Sequence, residues 1–374
     1  MNNISSMRNV FLKLFDLLES NCYREAIDAL TGGRIARDPW APYLVEKLDS
    51  LPEAQSWIIR LFHQGIQVEI NTNVIEYELL EGLKNLKIIK SHPNGRISLG
   101  GRTIVPYLGY YFFSDIWRPG TEVTADKIWL GEDSLYLAQT LPNARNKKVL
   151  DLCSGTGIQS IILASRGAKV TAVELNEKAV ELALWNTYIN GVDDSVTVVQ
   201  GNLYDPVQNE KFDIIISIPP FLPLVQDKDE RFLFADGGED GTEVLQGIID
   251  ELHNRLEMNG CAKILAGSYG NESKPAIVNV LTKKASSIGG ITIDLMVLGK
   301  NSLQKERAQI EAKFPFLKDR IMVESTLGQL KVSHYYTFLL SVRKGDGKSS
   351  LKETHYHSDL RDLVMEMRKR RQSI

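Results

Sequence analysis

Residues 149–157 read Val149-Leu150-Asp151-Leu152-Cys153-Ser154-Gly155-Thr156-Gly157: an apolar run, then a turn with glycines two apart, with a helix expected from 157 to 165. A buried strand feeding straight into a helix is the repeating unit of a parallel sheet. Glycine permits the tight turn and lets a ligand come close to the backbone. Loops of this kind also hold pyrophosphates at a helix N-terminus. Here the carboxylate of Asp151, expected to point into a pocket mouth, would repel a pyrophosphate. It suits a ligand bearing a cationic amine or sulfonium.

Two further strand ends extend the pattern. Val170-Thr171-Ala172-Val173-Glu174-Leu175 ends in an acid placed to accept hydrogen bonds from both hydroxyls of a ribose. Gln200-Gly201-Asn202-Leu203 ends in an amide placed to meet an adenine edge. Each acid also has a plainer reading, Asp151 as a helix cap and Glu174 as a solvated strand end. The ordered set favours a nucleoside cofactor in a crevice at the carboxyl edge of a sheet.

Outward from this centre, apolar strands are expected over 148–152, 169–173, 195–199, 212–217, 261–266, 291–297 and 335–342. Helices are expected over 157–165, 176–190, 242–256 and 272–287. This is an α/β domain with a seven-stranded, mostly parallel sheet, spanning 146–342. Residues 1–106 read as a mainly helical domain ending in a hairpin, an order expected of a winged-helix module. Helices are expected near 7–18, 41–48, 53–62 and 73–83, the last with Asn73 as its cap and Glu76 three residues on. Val68–Leu83 carries four Glu, which a phosphate backbone would repel, so substrate or dimer contacts are the expected role. Residues 107–145 form an aromatic-rich connecting segment that includes Trp117 and Trp129. Residues 343–374 read as a basic, flexible tail with a short amphipathic helix around Leu363, Val364 and Met367.

The chain has 374 residues, room for two or three domains, with 43% hydrophobic and 24% charged residues. A formal net charge of -3 argues against coating nucleic acid through bulk charge. Cys22, Cys153 and Cys261 are too scattered for a disulfide framework or a zinc spacing, so no metal is expected. No signal peptide or membrane-spanning run is seen, and a cytoplasmic protein is expected.

Residues 148–265 resemble the class I S-adenosylmethionine-dependent methyltransferases, and the likeness extends more weakly over 115–342. Asp151, Cys153, Gly155 and Gly157 lie in what looks like the first motif of that family. Glu174 with Leu175 matches its ribose acid, and Asn202 with Leu203 stands beside the adenine. The resemblance implies S-adenosylmethionine as cofactor, and a Rossmann-like sheet whose last two strands form an antiparallel edge pair. Within the family the chain is similar to the group that methylates amide or exocyclic nitrogens in release factors and ribosomal RNA. That group carries Asn-Pro-Pro-Tyr/Phe after its fourth strand; here the run is Ser217-Ile218-Pro219-Pro220-Phe221. Gly237-Gly238-Glu239-Asp240-Gly241 also resembles the release-factor enzymes, and Arg118-Pro119-Gly120-Thr121-Glu122 does so faintly.

The departure is Ile218. In the group an asparagine there accepts a hydrogen bond from the target NH₂, and isoleucine has neither donor nor acceptor. The prolines still fix the loop and Phe221 still offers a ring to stack on. The expected catalytic set is Pro219, Pro220, Phe221, Tyr269 and Asp236, with Glu239, Asp240 and His334 as further candidate bases. Phe232, Phe234 and Trp117 are expected to wall the substrate side, and Ser217 to border the cofactor. The leading expectation is methyl transfer to a small or peptide-like metabolite. Alternatives are a protein-glutamine or RNA nitrogen methyltransferase, and a non-catalytic interaction protein on the same fold.

Overall fold

A computed structural model of the chain describes residues 2–31, 46–116, 124, 126–128, 130–224, 232–317 and 331–355. Residues 41–45 of one expected helix, Trp117, Trp129, the run 118–122 and the tail beyond 355 lie outside the described residues. The described residues fall into two units: those within 1–121, 128–130 and 181–194, and the remainder.

The N-terminal unit holds helices Asn2–Ser20, Tyr23–Thr31 and Glu53–Ile58, the last continuing as a wider turn over Ile59–His63, and then helix Tyr77–Asn85. Phe11, Leu14, Leu18, Ile58, Phe62 and Leu83 are fully buried, so the 3.6-residue spacing of apolar side chains found a core. Asn73 does not cap the last helix. Its N–H donates to Asn71 Oδ1 in a local turn, and the helix starts four residues later, with Glu76 as its cap residue.

Two hairpins follow: β1 (Lys90–Ser91) with β2 (Ile97–Ser98), and β3 (Arg102–Tyr107) with β4 (Tyr110–Asp115). The boundary expected at 106 therefore falls inside a hairpin. The open side of β4 is met by side chains rather than a strand. Asn186 Oδ1 accepts from Phe113 N–H at 2.6 Å and its Nδ2 donates to Phe113 O at 3.1 Å. Asn190 makes the same pair of bonds with Tyr111, at 2.9 and 2.7 Å. Two amides four residues apart on one helix face thus continue the ladder.

The larger unit is built on one eight-stranded sheet: β5 (Lys148–Leu152), β6 (Lys169–Glu174), β7 (Val196–Gln200), β8 (Phe212–Ser217), β9 (Leu256–Gly270), β10 (Ile291–Ser302), β11 (His334–Lys344) and β12 (Ser350–His355). Their spatial order is β12-β10-β11-β9-β8-β5-β6-β7. Strands β7, β6, β5, β8 and β9 pair in parallel, and β11 is antiparallel to both β9 and β10. β5 and β8 lie in the middle and read as near-continuous apolar runs, as strands covered on both faces do. Helix Ile158–Ser165, which follows β5, is buried along its first seven residues.

The expected count of seven strands is one short. β12, inside the stretch expected to be a flexible tail, pairs in parallel with β10 from Thr292↔Ser350 to Val297↔His355. Its sequence, Ser350-Leu351-Lys352-Glu353-Thr354-His355, shows little apolar signal because only Leu351 packs on the core. Main-chain hydrogen bonding fixes this strand, and composition does not report it. Among the described residues no helix is long and apolar enough to cross a membrane.

Candidate functional site

The carboxyl ends of β5, β6, β7 and β8 lie side by side, since Leu152 pairs with both Val173 and Ser217, and Glu174 with Gln200. The chain leaves β5 through three left-handed residues: Cys153 (φ 56°), Gly155 (φ 52°) and Gly157 (φ 75°). Gly157 N–H donates to Ser154 O at 2.8 Å, which closes the turn against the helix start. A side chain placed on Gly155 would meet nothing within 4 Å, so the outer face of the loop is open.

Glu174 holds this loop. Its Oε2 accepts from Gly155 N–H at 2.8 Å and its Oε1 from Asn176 N–H at 2.9 Å. Burial nevertheless raises its carboxyl above the ordinary range. Asp151 takes the plainer of its two readings. Its Oδ2 accepts from Ser160 Oγ at 2.6 Å and Ser160 N–H at 3.1 Å, so this oxygen caps the helix. Burial, opposed by those two bonds, pushes its carboxyl up to about 7. Ser217, expected to border the cofactor, donates its hydroxyl to Leu152 O at 2.9 Å and ties β8 to β5. Burial, with Glu174 nearby, also holds the Cys153 thiol well above its usual range.

Leu175 is 47% exposed directly after Glu174. Asn202 is exposed, and Leu203 is left-handed (φ 48°) and packs on the core. Gly201 N–H donates to Glu174 O at 2.9 Å, so the β6 and β7 ends are locked together. Half-buried acid, open glycine loop and exposed leucine at one sheet edge fit a cationic nucleoside: hydroxyl acceptors, close backbone approach and apolar cover for a base.

Beyond β8, Pro219 is buried while Ile218, Pro220 and Phe221 are half-buried. Leu222 N–H donates to Ala235 O at 2.8 Å, and Gly237 N–H to Leu222 O at 2.9 Å. The glycines of the 237–241 run are steric necessities. A Cβ on Gly237 would lie 2.8 Å from Phe221 Cα, and one on Gly241 2.6 Å from Phe221 O. Asp236, an expected base, is buried and accepts Gly238 N–H at 2.9 Å, so it shapes the loop. Asp240 accepts Thr242 N–H at 2.8 Å ahead of helix Glu243–Arg255, and Glu239 is exposed. His334 is half-buried, with Nδ1 2.9 Å from Ser333 Oγ.

Two aromatic groups flank the loop. Phe232 and Phe234 meet edge to face at 6.0 Å, and Phe234 meets Phe314 at 6.2 Å. Tyr269 meets Tyr335 at 5.4 Å and 81°. Tyr335 Oη donates to Phe221 O at 2.7 Å. Tyr335 was not among the expected site residues. Its sequence neighbours place it on a strand, but its reach to a loop 114 residues away leaves no mark in a single sequence.

The sheet order and the antiparallel β11 are the arrangement expected of a class I S-adenosylmethionine-dependent methyltransferase, and the relatives show that family. Residues 127–268 match the methyltransferase small domain family. A Methanocaldococcus jannaschii chain named as a candidate protein N5-glutamine methyltransferase is 40% identical over 147 residues, 38% of this chain and 73% of that one. The release factor glutamine methyltransferase of Aquifex aeolicus is 31% identical over 180 residues, 46% of this chain and 60% of that one. The ribosomal protein uL3 glutamine methyltransferase of Bradyrhizobium diazoefficiens is 32% identical over 123 residues, 30% and 39% of the two chains. The chain thus spans less than two thirds of the last two relatives. It belongs to this group of class I methyltransferases and is an enzyme that uses S-adenosylmethionine.

Proposed function

We propose that the enzyme methylates an uncharged small or peptide-like acceptor that lies on the loop of residues 217–221. The observation that carries this reading is Ile218. The loop keeps its prolines, its aromatic residue and the glycines packed against it, yet the side chain that would accept a hydrogen bond from an amide nitrogen is replaced by a hydrocarbon. The loop's frame is therefore kept, and primary-amide recognition by that side chain is lost.

Glu174, the Gly155 loop, Leu175 and Leu203 would hold the cofactor, with Asp151 acting through the helix it caps. When bound, S-adenosylmethionine supplies an electrophilic methyl carbon on a sulfonium. The chain's own part is to align the acceptor in line with that carbon and exclude water, which is how enzymes of little covalent chemistry gain rate. Buried Pro219 and the ring of Phe221 serve both ends.

A second reading, methylation of a protein glutamine, is favoured by the names of the relatives. Transfer of radiolabelled methyl from S-adenosylmethionine separates the two. The first expects no transfer to a Gly-Gly-Gln peptide by the wild type; transfer to it well above that to the same peptide with glutamine replaced would move the assignment to glutamine.

For the N-terminal residues 1–106 we infer a winged-helix-like module used for substrate or dimer contacts. Its support is the order of elements: a turn joining Val68 to Ile97 by an antiparallel bridge, helix Tyr77–Asn85, and the β1–β2 hairpin. The exposed helix start carries Tyr77 (73% exposed) between Glu76 and Glu78, which suits a protein or peptide surface better than phosphates.

A further inference from the structure

Tyr269 on β9 and Tyr335 on β11 are direct partners in the antiparallel ladder, so their side chains leave the same face of the sheet. Both rings are buried, and Phe221, Leu303 and Val332 pack against them. The two hydroxyls differ. Tyr335 Oη is spent on the main chain of the acceptor loop, at Phe221 O. Space for it is left by Gly267, two residues before Tyr269, where a Cβ would lie 2.0 Å from that oxygen. Tyr269 Oη makes no hydrogen bond with any described residue and is not among the sealed-off polar atoms, so the ring is buried while the hydroxyl stays open to solvent or a ligand. Burial holds both phenols neutral, so Tyr269 serves as a hydrogen-bonding group and not as a base.

We propose that this pair forms the far wall of the acceptor subsite, with Tyr335 positioning the loop and the Tyr269 hydroxyl providing the orienting hydrogen bond that Ile218 does not. The inference rests on the reading of residues 217–221 as the acceptor's floor. It narrows the acceptor to an uncharged molecule with a flat or apolar body and a hydrogen-bonding heteroatom beside the reacting atom. Phe221, Leu303 and Tyr269 offer apolar faces to a ring or chain. Among the described residues the polar groups beside them are the Tyr269 phenol and the Glu306 carboxylate, which acts on both phenols and already accepts from Asn301 Nδ2 at 2.7 Å. Tyr335 is a positioning residue; Tyr269 touches substrate.

The test uses the full chain saturated with S-adenosylhomocysteine, and benzamide as the probe, with benzoate and benzylammonium as charged counterparts. Ligand-observed NMR is expected to show benzamide bound more tightly than either ion, and at least fivefold more weakly in Tyr269→Phe. Calorimetry is expected to give S-adenosylhomocysteine affinities within twofold of wild type for Tyr269→Phe and Tyr335→Phe. Hydrogen exchange over residues 218–222 is expected to rise about tenfold in Tyr335→Phe and to stay unchanged in Tyr269→Phe. Absent benzamide binding, equal binding in Tyr269→Phe, or preference for an ion overturns the proposal. Methylation of a Gly-Gly-Gln peptide by the wild type would instead displace the acceptor reading alone. In that case Tyr269→Phe must lower kcat/KM on the peptide, with unchanged S-adenosylmethionine affinity, for the wall to stand.

Discussion

Glu174 shows how one side chain serves fold and site at once. One carboxylate oxygen holds the glycine turn at Gly155 N–H, and the other closes a local turn at Asn176 N–H ahead of the next helix. A hydrogen bond to a charged group contributes about 1.5–3 kcal/mol, so Glu174→Ala is expected to weaken S-adenosylmethionine about 10- to 100-fold by calorimetry. An unchanged affinity would remove Glu174 from the site. Asp151 makes a different prediction. Its folded carboxyl sits at about 7, above the ordinary value of 3.8. The stability linked to this group is therefore full below pH 3.8 and declines as pH rises to about 7, by about 4 kcal/mol. Bound S-adenosylmethionine brings positive charge into the same crevice and favours the ionised carboxylate. Cofactor binding near pH 7 is thus expected to release protons and to tighten with rising pH. Calorimetry in buffers of different ionisation enthalpy reads both, and zero proton exchange would show that Asp151 does not sense the ligand. At Ile218, the substitution Ile218→Asn is expected to restore glutamine methylation or raise it at least tenfold, scored by methyl transfer to a Gly-Gly-Gln peptide; a silent substitution would mean the loop alone does not set the acceptor.

Elements of this chain are joined by polar side chains as much as by apolar faces. Helix Glu177–Ile189 with the residue after it presents Asn186 and Asn190 to β4, each bonding a residue's N–H and C=O. Asn186→Ala leaves a buried donor and a buried acceptor unmatched, at about 1–3 kcal/mol each. Urea unfolding followed by tryptophan fluorescence is expected to show a loss of about 2 kcal/mol or more, and a loss under 0.5 kcal/mol would mean water replaces the amide. Neither this pairing nor β12 was legible in the sequence. Asparagine reads locally as a cap or turn residue, and β12 is too polar to announce a strand. The parallel strands were legible, because strands covered on both faces must be continuously apolar.

Across the molecule the two units have different acid responses. His63 is fully buried in the N-terminal unit, with Nδ1 3.2 Å from Ile104 O and no partner on Nε2. Burial lowers its pKa from 6.5 to about 4, against the small opposing effect of the carbonyl. Because the folded pKa is depressed, the stability it confers is full above pH 6.5 and falls as pH drops to about 4, by about 3 kcal/mol. Asp151, in the larger unit, changes in the opposite direction over the whole of this range. Denaturant unfolding at pH 7 and pH 5 is expected to show the acid loss reported by N-terminal probes, and its absence in His63→Leu. Equal acid sensitivity of both proteins would exclude His63 as the cause.

The sequence by itself determined the parallel core, the glycine turn after β5 and the acid at the end of β6. Those features depend on contiguous residues: an apolar run, a glycine turn and an acid at a strand end state their geometry locally. For Asp151 the sequence left two readings open, and the structure shows its Oδ2 on Ser160, nine residues on, as the helix-cap reading expects. Tertiary structure alone decided what surrounds the loop of residues 217–221. Tyr335 reaches Phe221 across 114 residues, Gly267 makes room for it from a third strand segment, and β12 closes the sheet through main-chain bonds. Contacts between distant segments depend on how strands are ordered in the sheet, and side-chain periodicity along one strand carries no record of which strand lies beside it.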